Sequence, residues 1–312
     1  MAWTITLDEF ETYEAAREEF SLDLPSDYNL AFDSLRKHDD PDRTALYQAY
    51  PDGRRETYSY ADLDRESDKL ASALADYGIE AGDHVGVCLP QTPEVLLTYL
   101  ACWKLAAVVV HIGERRGKEP FKNMVERSES KIIITNNTGL KRATTVTGLR
   151  RPVEDVILVG EGDRHDAMDS VRTYETFVDN YSPGFEIADT TPKTPACILY
   201  TSGSTGPPKG VVLRSETFPT GCVAACMSYE HSIDETAVGW TPASWSRISA
   251  LVLQFFVMLH YGGSTVGYAS DFDPEKSFEL MAEFDVTHPF IIPIRLRQLM
   301  DATYQKIDDL SI

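Results

Sequence analysis

Hydrophobic and polar positions alternate along much of the chain in a way that predicts short strands separated by amphipathic helices. Runs such as Val85–Leu89, Val108–Val110 and Lys131–Thr135 are short and apolar, as is typical of buried strands. Between these runs, residues 63–74 and 94–105 carry hydrophobic side chains at helical spacing. Strands that alternate with helices favour an α/β fold with a largely parallel, doubly wound sheet.

Helix boundaries are marked by local signals. Ser59 precedes Asp62 by three residues, which is the pattern of a capping box, and Gly78 follows the helical segment as a stop. Thr92-Pro93-Glu94 places proline and an acidic residue in the first turn of the next predicted helix. These signals predict one helix from about residue 60 to 77 and another from residue 93 to about 105.

The pattern also predicts how the chain divides. Residues 1–57 look irregular and acidic, with short helical patches at 7–20 and 28–38, and are interpreted as an N-terminal extension. Residues 160–194 are rich in Asp, Gly, Pro and Thr, and this composition predicts a linker or a surface segment between two lobes. We therefore expect an extension (1–57), a first α/β subdomain (58–185) and a second α/β subdomain (186–312).

The most informative segment is the loop from Thr201 to Gly210, which has the sequence TSGSTGPPKG. Its glycines allow backbone N–H groups to converge on an anion, and its four hydroxyl residues add donors. Lys209 adds a mobile positive charge suited to phosphate. Because Val211-Val212-Leu213 follows, the loop is expected to join two strands. The segment therefore predicts a phosphate-binding hairpin.

Other nucleotide-binding loops fit this segment less well. In the Walker pattern, counting from Gly203 places the second required glycine at Pro208, and Lys209 is followed by Gly210 instead of Ser or Thr. The Rossmann pattern G-x-G-x-x-G is also absent. A flexible Ser/Gly linker remains the plain alternative, but it would not explain hydrophobic strands on both sides.

Charge narrows the set of partners. The chain has 49 Asp and Glu residues against 29 Lys and Arg, for a net charge of −20. The negative electrostatic field of such a chain disfavours binding to nucleic acid and to anionic membranes. A site for ATP, which is itself an anion, would need its own local cation and amide donors. Acidic residues spread over the chain suggest a salt-adapted (halophilic) protein, the alternative being an ordinary acidic one.

Five cysteines occur without a C-x-x-C pair or a zinc-type histidine pair, which fits buried thiols in a reducing compartment. The N-terminus shows no pattern of a signal peptide, and the apolar stretch 251–259 is far shorter than the ~20 residues of a membrane span. A cytoplasmic location without membrane association is expected.

Together, these segments resemble the adenylate-forming (AMP-binding) superfamily of acyl-CoA synthetases, peptide-synthetase adenylation domains and luciferases. Tyr200–Val211 is similar to the superfamily's signature loop, and Tyr58–Leu63, Gly82–Val85 and Pro90–Glu94 resemble its first helices and strands. Thr241–Trp245 resembles the acyl-pocket segment of the acetyl- and medium-chain acyl-CoA synthetase branch. The resemblance covers about residues 25–312 and concerns the N-terminal part of such enzymes only.

The resemblance implies an ATP-dependent acyl-CoA ligase. In such enzymes a carboxylate and ATP give an acyl-adenylate and pyrophosphate, and the acyl group then passes to CoA. The resemblance implies ATP, Mg²⁺ and CoA as cofactors and a small-molecule carboxylate as substrate. It also implies that Lys209 is a catalytic residue, that Thr201 contacts magnesium and that Trp245 is part of the acyl pocket. Trp245 could instead be a core aromatic. The implied ATP-phosphate ligands are Thr201, Ser202, Gly203, Ser204, Thr205, Gly206 and Lys209.

The chain also departs from the family pattern. His111, Ser244 and Arg247 stand where a proline, an aspartate and a second pocket tryptophan are expected, so His111 and His231 are interpreted as surface or structural residues. The sequence ends before the family's adenine- and ribose-binding segments and its small C-terminal domain. The second subdomain is therefore expected to be incomplete, without a C-terminal domain. A non-catalytic truncated copy, or one half of a split enzyme that needs a complementary C-terminal chain, is the alternative function.

Overall fold

A computed structural model of the chain describes residues 21–114, 117–144, 155–160, 171–201, 208–230 and 232–309, together with residues 12, 14, 15 and 18. The strands form two sheets, one of seven strands and one of five, with helices packed against them. This arrangement confirms the predicted α/β fold with two sheet-containing subdomains. The predicted helical patch at residues 7–20 lies largely outside the described residues.

The strands, numbered along the chain, are β1 (Thr44–Ala49), β2 (Arg55–Ser59), β3 (His84–Cys88), β4 (Val108–His111), β5 (Ile132–Thr135), β6 (Asp155–Leu158), β7 (Val171–Thr173), β8 (Pro195–Thr201), β9 (Lys209–Arg214), β10 (Val238–Trp240), β11 (Ser264–Tyr268) and β12 (His288–Pro289). The seven-stranded sheet has the strand order β7-β6-β5-β3-β4-β8-β9, and the five-stranded sheet has the order β12-β10-β11-β1-β2. All pairings are parallel except the hairpins β8–β9 and β1–β2.

Helices cover the sheets and connect most of the parallel strands. A π-helical turn, Phe32–Arg36, precedes β1. The helix from Ile248 to Tyr261 is continuous, and its middle section, Leu251–Phe256, is π-helical. The helices are α1 (Tyr60–Tyr77), α2 (Pro93–Lys104), α3 (Lys118–Ser128), α4 (Asn137–Thr144), α5 (Tyr174–Val178), α6 (Thr217–Ser228), α7 (Ile248–Ala250, Leu251–Phe256 and Val257–Tyr261), α8 (Pro274–Glu283) and α9 (Pro293–Asp309).

The structure confirms the local signals around α1. Ser59 accepts a hydrogen bond from the Asp62 backbone N–H at 3.0 Å, and the Asp62 carboxylate accepts one from the Ser59 backbone N–H at 3.0 Å. Gly78 ends the helix with φ 100°, in the left-handed region that glycine adopts without strain. The central strands β4 and β5 are buried at every position, as expected for parallel strands with both faces covered.

The predicted division of the chain differs from the observed one. Residues within the predicted extension 1–57 form β1 and most of β2, and β1 lies between β2 and β11 in the five-stranded sheet. Ala45, Leu46 and Ala49 are buried there because β1 pairs in parallel with β11, more than 200 residues later in the sequence. Conversely, β8 and β9 lie beyond the predicted boundary at residue 185 but belong to the seven-stranded sheet. The two subdomains therefore interleave along the sequence.

The segment predicted as a linker, residues 160–194, also contains regular structure. It supplies β7 to one edge of the seven-stranded sheet and the short helix α5, whose Thr173 cap accepts a hydrogen bond from the Thr176 backbone N–H. Phe177 of α5 is buried against the core, and its ring meets Tyr77 edge-on. The part of this stretch that follows residue 170 thus contributes a strand and a helix to the first subdomain.

A buried ionic cluster holds the segment before β1 against α7. The Asp33 carboxylate accepts hydrogen bonds from Lys37 Nζ at 2.8 Å, His260 Nδ1 at 2.7 Å and the Tyr28 hydroxyl at 2.9 Å. Burial alone would raise the pKa of Asp33, but His260 and Lys37 more than offset that effect and hold its pKa well below the usual range. The carboxylate therefore stays ionised inside the fold.

A second buried cluster joins α1 to α2. Lys104 is fully buried, and its ammonium group lies 2.6 Å from Asp64 Oδ1, 2.6 Å from Asp68 Oδ1 and 2.8 Å from the Ser67 hydroxyl. Arg36 also donates to both carboxylates. A buried ammonium group is tolerated only with such partners, so the cluster fixes the relative position of the two helices.

The cysteines are free thiols at buried positions, namely 88, 102, 197, 222 and 226, which confirms their predicted role as small core residues. Burial raises the pKa of the Cys88 thiol to about 12. Among the described helices, none combines the length and the apolar character that crossing a membrane would require.

Candidate functional site

The hairpin β8–β9 carries the two ends of the predicted phosphate loop. Thr201 is the last residue of β8 and Lys209 the first of β9, and the two are paired directly across the hairpin. Both residues are exposed, and the Thr201 hydroxyl oxygen lies 3.5 Å from the Lys209 carbonyl oxygen. The hairpin thus confirms that the loop joins two strands. The other predicted phosphate ligands, Ser202, Gly203, Ser204, Thr205 and Gly206, lie outside the described residues.

The sheet topology places this loop at a position suited to ligand binding. β8 runs parallel to β4, with Leu199 opposite His111, and β4 runs parallel to β3. Thr201 therefore lies at the carboxyl end of β8, and Glu114 lies just beyond the carboxyl end of the neighbouring parallel strand β4. Open α/β sheets bind their ligands at this edge. The arrangement brings the loop ends to the same side of the sheet as the segments that follow β3 and β4.

A cavity of about 140 Å³ opens at this same edge, where the carboxyl ends of the two sheets meet. Its walls come from the residues that follow β3, β4, β10, β11 and β12. The volume is sufficient for roughly ten water molecules. The charged residues that line it are Glu114, Arg247, Asp271, Asp273 and Arg295, and the aromatic ones are Trp240, Tyr268 and Phe272.

Gln91 organises the base of the cavity. Its side-chain amide donates to the carbonyl oxygens of Thr241 at 3.0 Å and Ala243 at 2.7 Å, and its Oε1 accepts from the Tyr268 backbone N–H at 3.1 Å. One buried side chain thereby ties the ends of β3, β10 and β11 together. Gln91 is not among the site residues predicted from the sequence. A polar residue in the short segment between a buried strand and a proline-initiated helix is the signal that could have found it.

The two arginines of the cavity differ in how they are held. The Arg295 guanidinium stacks over the Phe272 ring at 4.4 Å and donates to Gln298 Oε1 at 2.8 Å. The Arg247 side chain is exposed, and in the described part of the chain its guanidinium has no hydrogen-bond or ion-pair partner. Together with Lys209, these arginines supply positive charge to an edge of the molecule that otherwise carries carboxylates.

Trp245, the predicted acyl-pocket residue, lies in the core next to this region. It is 2% exposed, and its ring stacks on Phe255 with centroids 5.3 Å apart and an interplanar angle of 27°. Trp240, five residues earlier, lines the cavity instead. The structure therefore brings Thr201 and Lys209 together but does not place Trp245 on the cavity wall.

His111 lies near the loop but does not supply positive charge. It is almost fully buried at the end of β4, so it is a structural residue and not a surface one. Burial lowers its pKa to about 3, and the Tyr99 hydroxyl lies 3.0 Å from its Nδ1. The imidazole is therefore neutral near pH 7. His231 lies outside the described residues.

The described residues contain no group of three or more His, Cys, Asp or Glu side chains arranged to hold a metal ion. Mg²⁺ commonly keeps several waters and binds through one or two protein groups together with substrate phosphates. The exposed Thr201 hydroxyl is compatible with an ion that arrives with a nucleotide, as the resemblance implies. The exposed Lys209 ammonium group at this edge has the chemistry required for binding a phosphate.

Comparisons with known proteins identify the family of the chain. The profile of the family described as AMP-binding enzyme matches residues 35–311. The acetyl-coenzyme A synthetase of Gemmatimonas aurantiaca is 29% identical over 294 residues, and that of Penicillium chrysogenum is 26% identical over 295 residues. These matches cover 86% and 88% of this chain but only 44% and 43% of the relatives. The chain therefore spans less than half the length of these curated relatives.

Solved structures share the fold. The crystal structure of a Brucella canis acyl-CoA synthetase aligns with a TM-score of 0.82 and 21% identity, over 94% of this chain and 54% of that chain. The anthranilate CoA ligase AuaEII, solved in complex with anthranoyl-AMP, aligns with a TM-score of 0.76 and 18% identity, over 85% and 50%. With the family profile covering most of its length, this chain belongs to the AMP-binding enzyme family.

Proposed function

We propose that the chain carries the ATP-phosphate-binding part of an ATP-dependent acyl-CoA ligase. A carboxylate is a poor electrophile, and its reaction with the α-phosphate of ATP gives an acyl-adenylate with a good leaving group, which the CoA thiol then displaces. The observation that carries this proposal is the hairpin β8–β9. In this hairpin Thr201 pairs with Lys209 at the carboxyl end of β8, and the cavity lies among residues at and after the carboxyl ends of other parallel strands.

Lys209 is proposed to neutralise charge on the β- and γ-phosphates as pyrophosphate leaves. Its ammonium group sits on a flexible stem at the exposed start of β9, so it can follow the departing phosphates. Thr201 is proposed to contact the Mg²⁺ that accompanies ATP. Preorganised donors of this kind typically contribute on the order of 10²-fold to a rate.

The substrates proposed are a small-molecule carboxylate, ATP and CoA, in the cytoplasm and without nucleic-acid or membrane partners. The cavity lined by Gln91, Trp240 and Tyr268 is the proposed site of the acyl group. Trp245 would support its wall from the core, through the segment 241–245 that leads from β10 into the cavity. The acetyl-coenzyme A synthetase relatives suggest a short acyl group.

A second candidate function is a non-catalytic copy or one half of a split enzyme that works with a complementary C-terminal chain. One observation favours it: Ser244 and Arg247, which depart from the pattern of the resembled branch, both line the cavity.

Nucleotide binding and catalysis can be tested separately. Titration calorimetry with Mg-ATP should show binding to the chain and at least about 10-fold weaker binding to Lys209→Ala, because the variant loses a phosphate contact. Lys193→Ala, which removes an exposed lysine just before β8, is the matched control and should bind as the parent does. Equal affinity in Lys209→Ala and the parent would reject the phosphate role.

Carboxylate-dependent ATP–pyrophosphate exchange then distinguishes a part of a ligase, including one half of a split enzyme, from a non-catalytic copy. We expect little or no exchange from the 312-residue chain alone, and exchange once a complementary polypeptide is supplied. Robust exchange by the chain alone would show that it is a complete catalytic unit for adenylation. Mg-ATP binding without exchange under either condition would favour the non-catalytic copy.

A further inference from the structure

Arg247 differs from the other charged residues of the cavity wall, because its guanidinium has no hydrogen-bond or ion-pair partner in the described part of the chain. Arg295 is held by an aromatic ring and a side-chain amide. The Asp273 carboxylate caps α8 by accepting a 2.8 Å hydrogen bond from a backbone N–H. Glu114 and Asp271 also interact with other groups of the chain. Arg247 therefore has donors that a ligand could use.

The backbone at Arg247 is fixed against the cavity wall. Its N–H donates to the Ser244 carbonyl oxygen at 3.0 Å, and its carbonyl oxygen accepts from the Leu251 N–H at 2.9 Å in the first turn of α7. Ser244 lines the cavity as well, and Trp245 between them is buried in the core. The arginine side chain therefore starts from a defined point on the wall, with its planar fork of donors free.

A second donor on the wall also lacks a partner. Trp240 lines the cavity, and its buried Nε1 has no hydrogen-bond partner among the described residues. An indole N–H can only donate, and an unpaired donor in the interior is costly. A ligand oxygen would remove that cost, whereas an unsubstituted alkyl chain would leave both donors unused. The wall thus favours an acyl group that carries further oxygen atoms.

We propose that the acyl substrate is a short dicarboxylate whose second carboxylate pairs with Arg247. The inference rests on the proposed use of this cavity for the acyl group. A guanidinium matches a carboxylate through two parallel N–H···O bonds, and such charge-assisted pairs are stronger than neutral hydrogen bonds. The cavity, at about 140 Å³, has room for roughly ten water-sized groups, so a four-carbon dicarboxylate fits.

The acidic residues of the wall make this recognition depend on Arg247. Glu114, Asp271 and Asp273 contribute negative charge, so a second carboxylate without a facing cation would be repelled. The same residues make a substrate that ends in an ammonium group the competing candidate. The unpaired guanidinium favours the anionic end, because like charges placed together at a binding site are strongly unfavourable.

Three four-carbon ligands that differ only at one end test the inference. Butyrate ends in a methyl group, succinate in a carboxylate and 4-aminobutyrate in an ammonium group. Their affinities for the 312-residue chain are measured by saturation-transfer NMR without nucleotide. Succinate should bind at least about 10-fold more tightly than either of the others. Arg247→Gln should weaken succinate binding at least about 10-fold and leave butyrate binding unchanged, which also shows that the variant is folded.

Three further variants serve as controls. Arg214→Gln removes the same charge from an exposed residue opposite Pro195, at the end of β8 away from the phosphate loop, and should keep the preference for succinate. Lys209→Ala should keep it as well, because the second carboxylate is not assigned to the phosphate loop. Arg247→Lys retains the charge without the planar fork, so its preference should be intermediate.

Equal affinities for succinate and butyrate, tightest binding of 4-aminobutyrate, or an unchanged preference in Arg247→Gln would each overturn the proposal. Loss of the preference in Lys209→Ala would place succinate at the phosphate loop. A parallel loss of succinate and butyrate in Arg247→Gln would assign the arginine to the reacting carboxylate. Either result would also reject the proposed pairing.

Mg-ATP titration of the same samples keeps this inference separate from the nucleotide role. A succinate preference that depends on Arg247, in a chain that does not bind Mg-ATP, would reject only the nucleotide role. Mg-ATP binding that depends on Lys209, without a succinate preference, would reject only the proposed substrate class.

Discussion

At the scale of single residues, the buried Asp33 carboxylate makes a specific energetic prediction. Asp33→Asn keeps the shape of the side chain but leaves Lys37 and His260 without their anion. Removing one member of a buried ionic cluster typically costs about 3–5 kcal/mol. Urea denaturation at pH 7 should show a loss of this size. Asp40→Asn, at an exposed position with a 3.9 Å ion pair, should change the free energy of unfolding by less than about 1 kcal/mol.

The same residue predicts a pH dependence. Because the pKa of Asp33 in the folded state lies below its value in the unfolded chain, its stabilising effect is fully present above about pH 4 and is lost as the pH falls below that. The difference in unfolding free energy between the parent and Asp33→Asn should therefore be constant from pH 7 to 5. It should then shrink by up to about 1.4 kcal/mol per pH unit below pH 4. A difference that grows on acidification would contradict the assignment.

At the scale of secondary-structure elements, the capping box of α1 gives the next prediction. Ser59→Ala removes the side-chain acceptor for the Asp62 N–H, and losses of this kind typically cost about 1 kcal/mol. Ser59→Thr keeps a hydroxyl and should retain most of the stability. Comparison of the two variants by urea denaturation tests the cap itself, because they differ in the acceptor. Equal stability of the alanine and threonine variants would show that the cap contributes little.

The elements around that cap show what can be predicted from sequence. The start of α1, its end at Gly78 and the buried strands β3, β4 and β5 depend on residues close together in the chain, so local pattern is sufficient to find them. β1 could not be found in this way. Its six residues become a strand because β11, more than 200 residues away, pairs with them.

The candidate site shows the same limit of prediction from local sequence pattern. The loop could be predicted to bind phosphate because its glycines, hydroxyls and lysine are contiguous, and the hairpin that joins its ends follows from the apolar strands on either side. Gln91 and the cavity were missed because they depend on β3, β10 and β11 meeting in space. The position of Trp245 was also not predictable from its segment. Whether an aromatic residue lines a cavity or packs behind it depends on neighbours such as Phe255.

At the scale of the whole molecule, the interleaved sheets imply that the two subdomains are coupled. From the N-terminal part of the chain, β1 pairs with β11 and β2 pairs with β1, while β8 and β9 belong to the seven-stranded sheet. The Asp33 cluster and the Lys104 cluster add buried ionic contacts that join the early segment to α7 and α1 to α2. No single cut in the sequence would therefore separate the two sheets cleanly.

The net charge of −20 gives the final prediction. Repulsion among so many carboxylates opposes the compact state, and about 1 M salt reduces the range of that repulsion to about 3 Å. If the protein is salt-adapted, as we propose, its melting temperature should rise steadily from 0.1 to 3 M KCl. Replacing the exposed Asp39, Asp40 and Asp42 with Asn removes three negative charges and should reduce that rise. Thermal unfolding followed by circular dichroism measures both effects. Maximal stability in dilute buffer, or a variant with an unchanged salt response, would show that surface repulsion does not limit the stability of this fold.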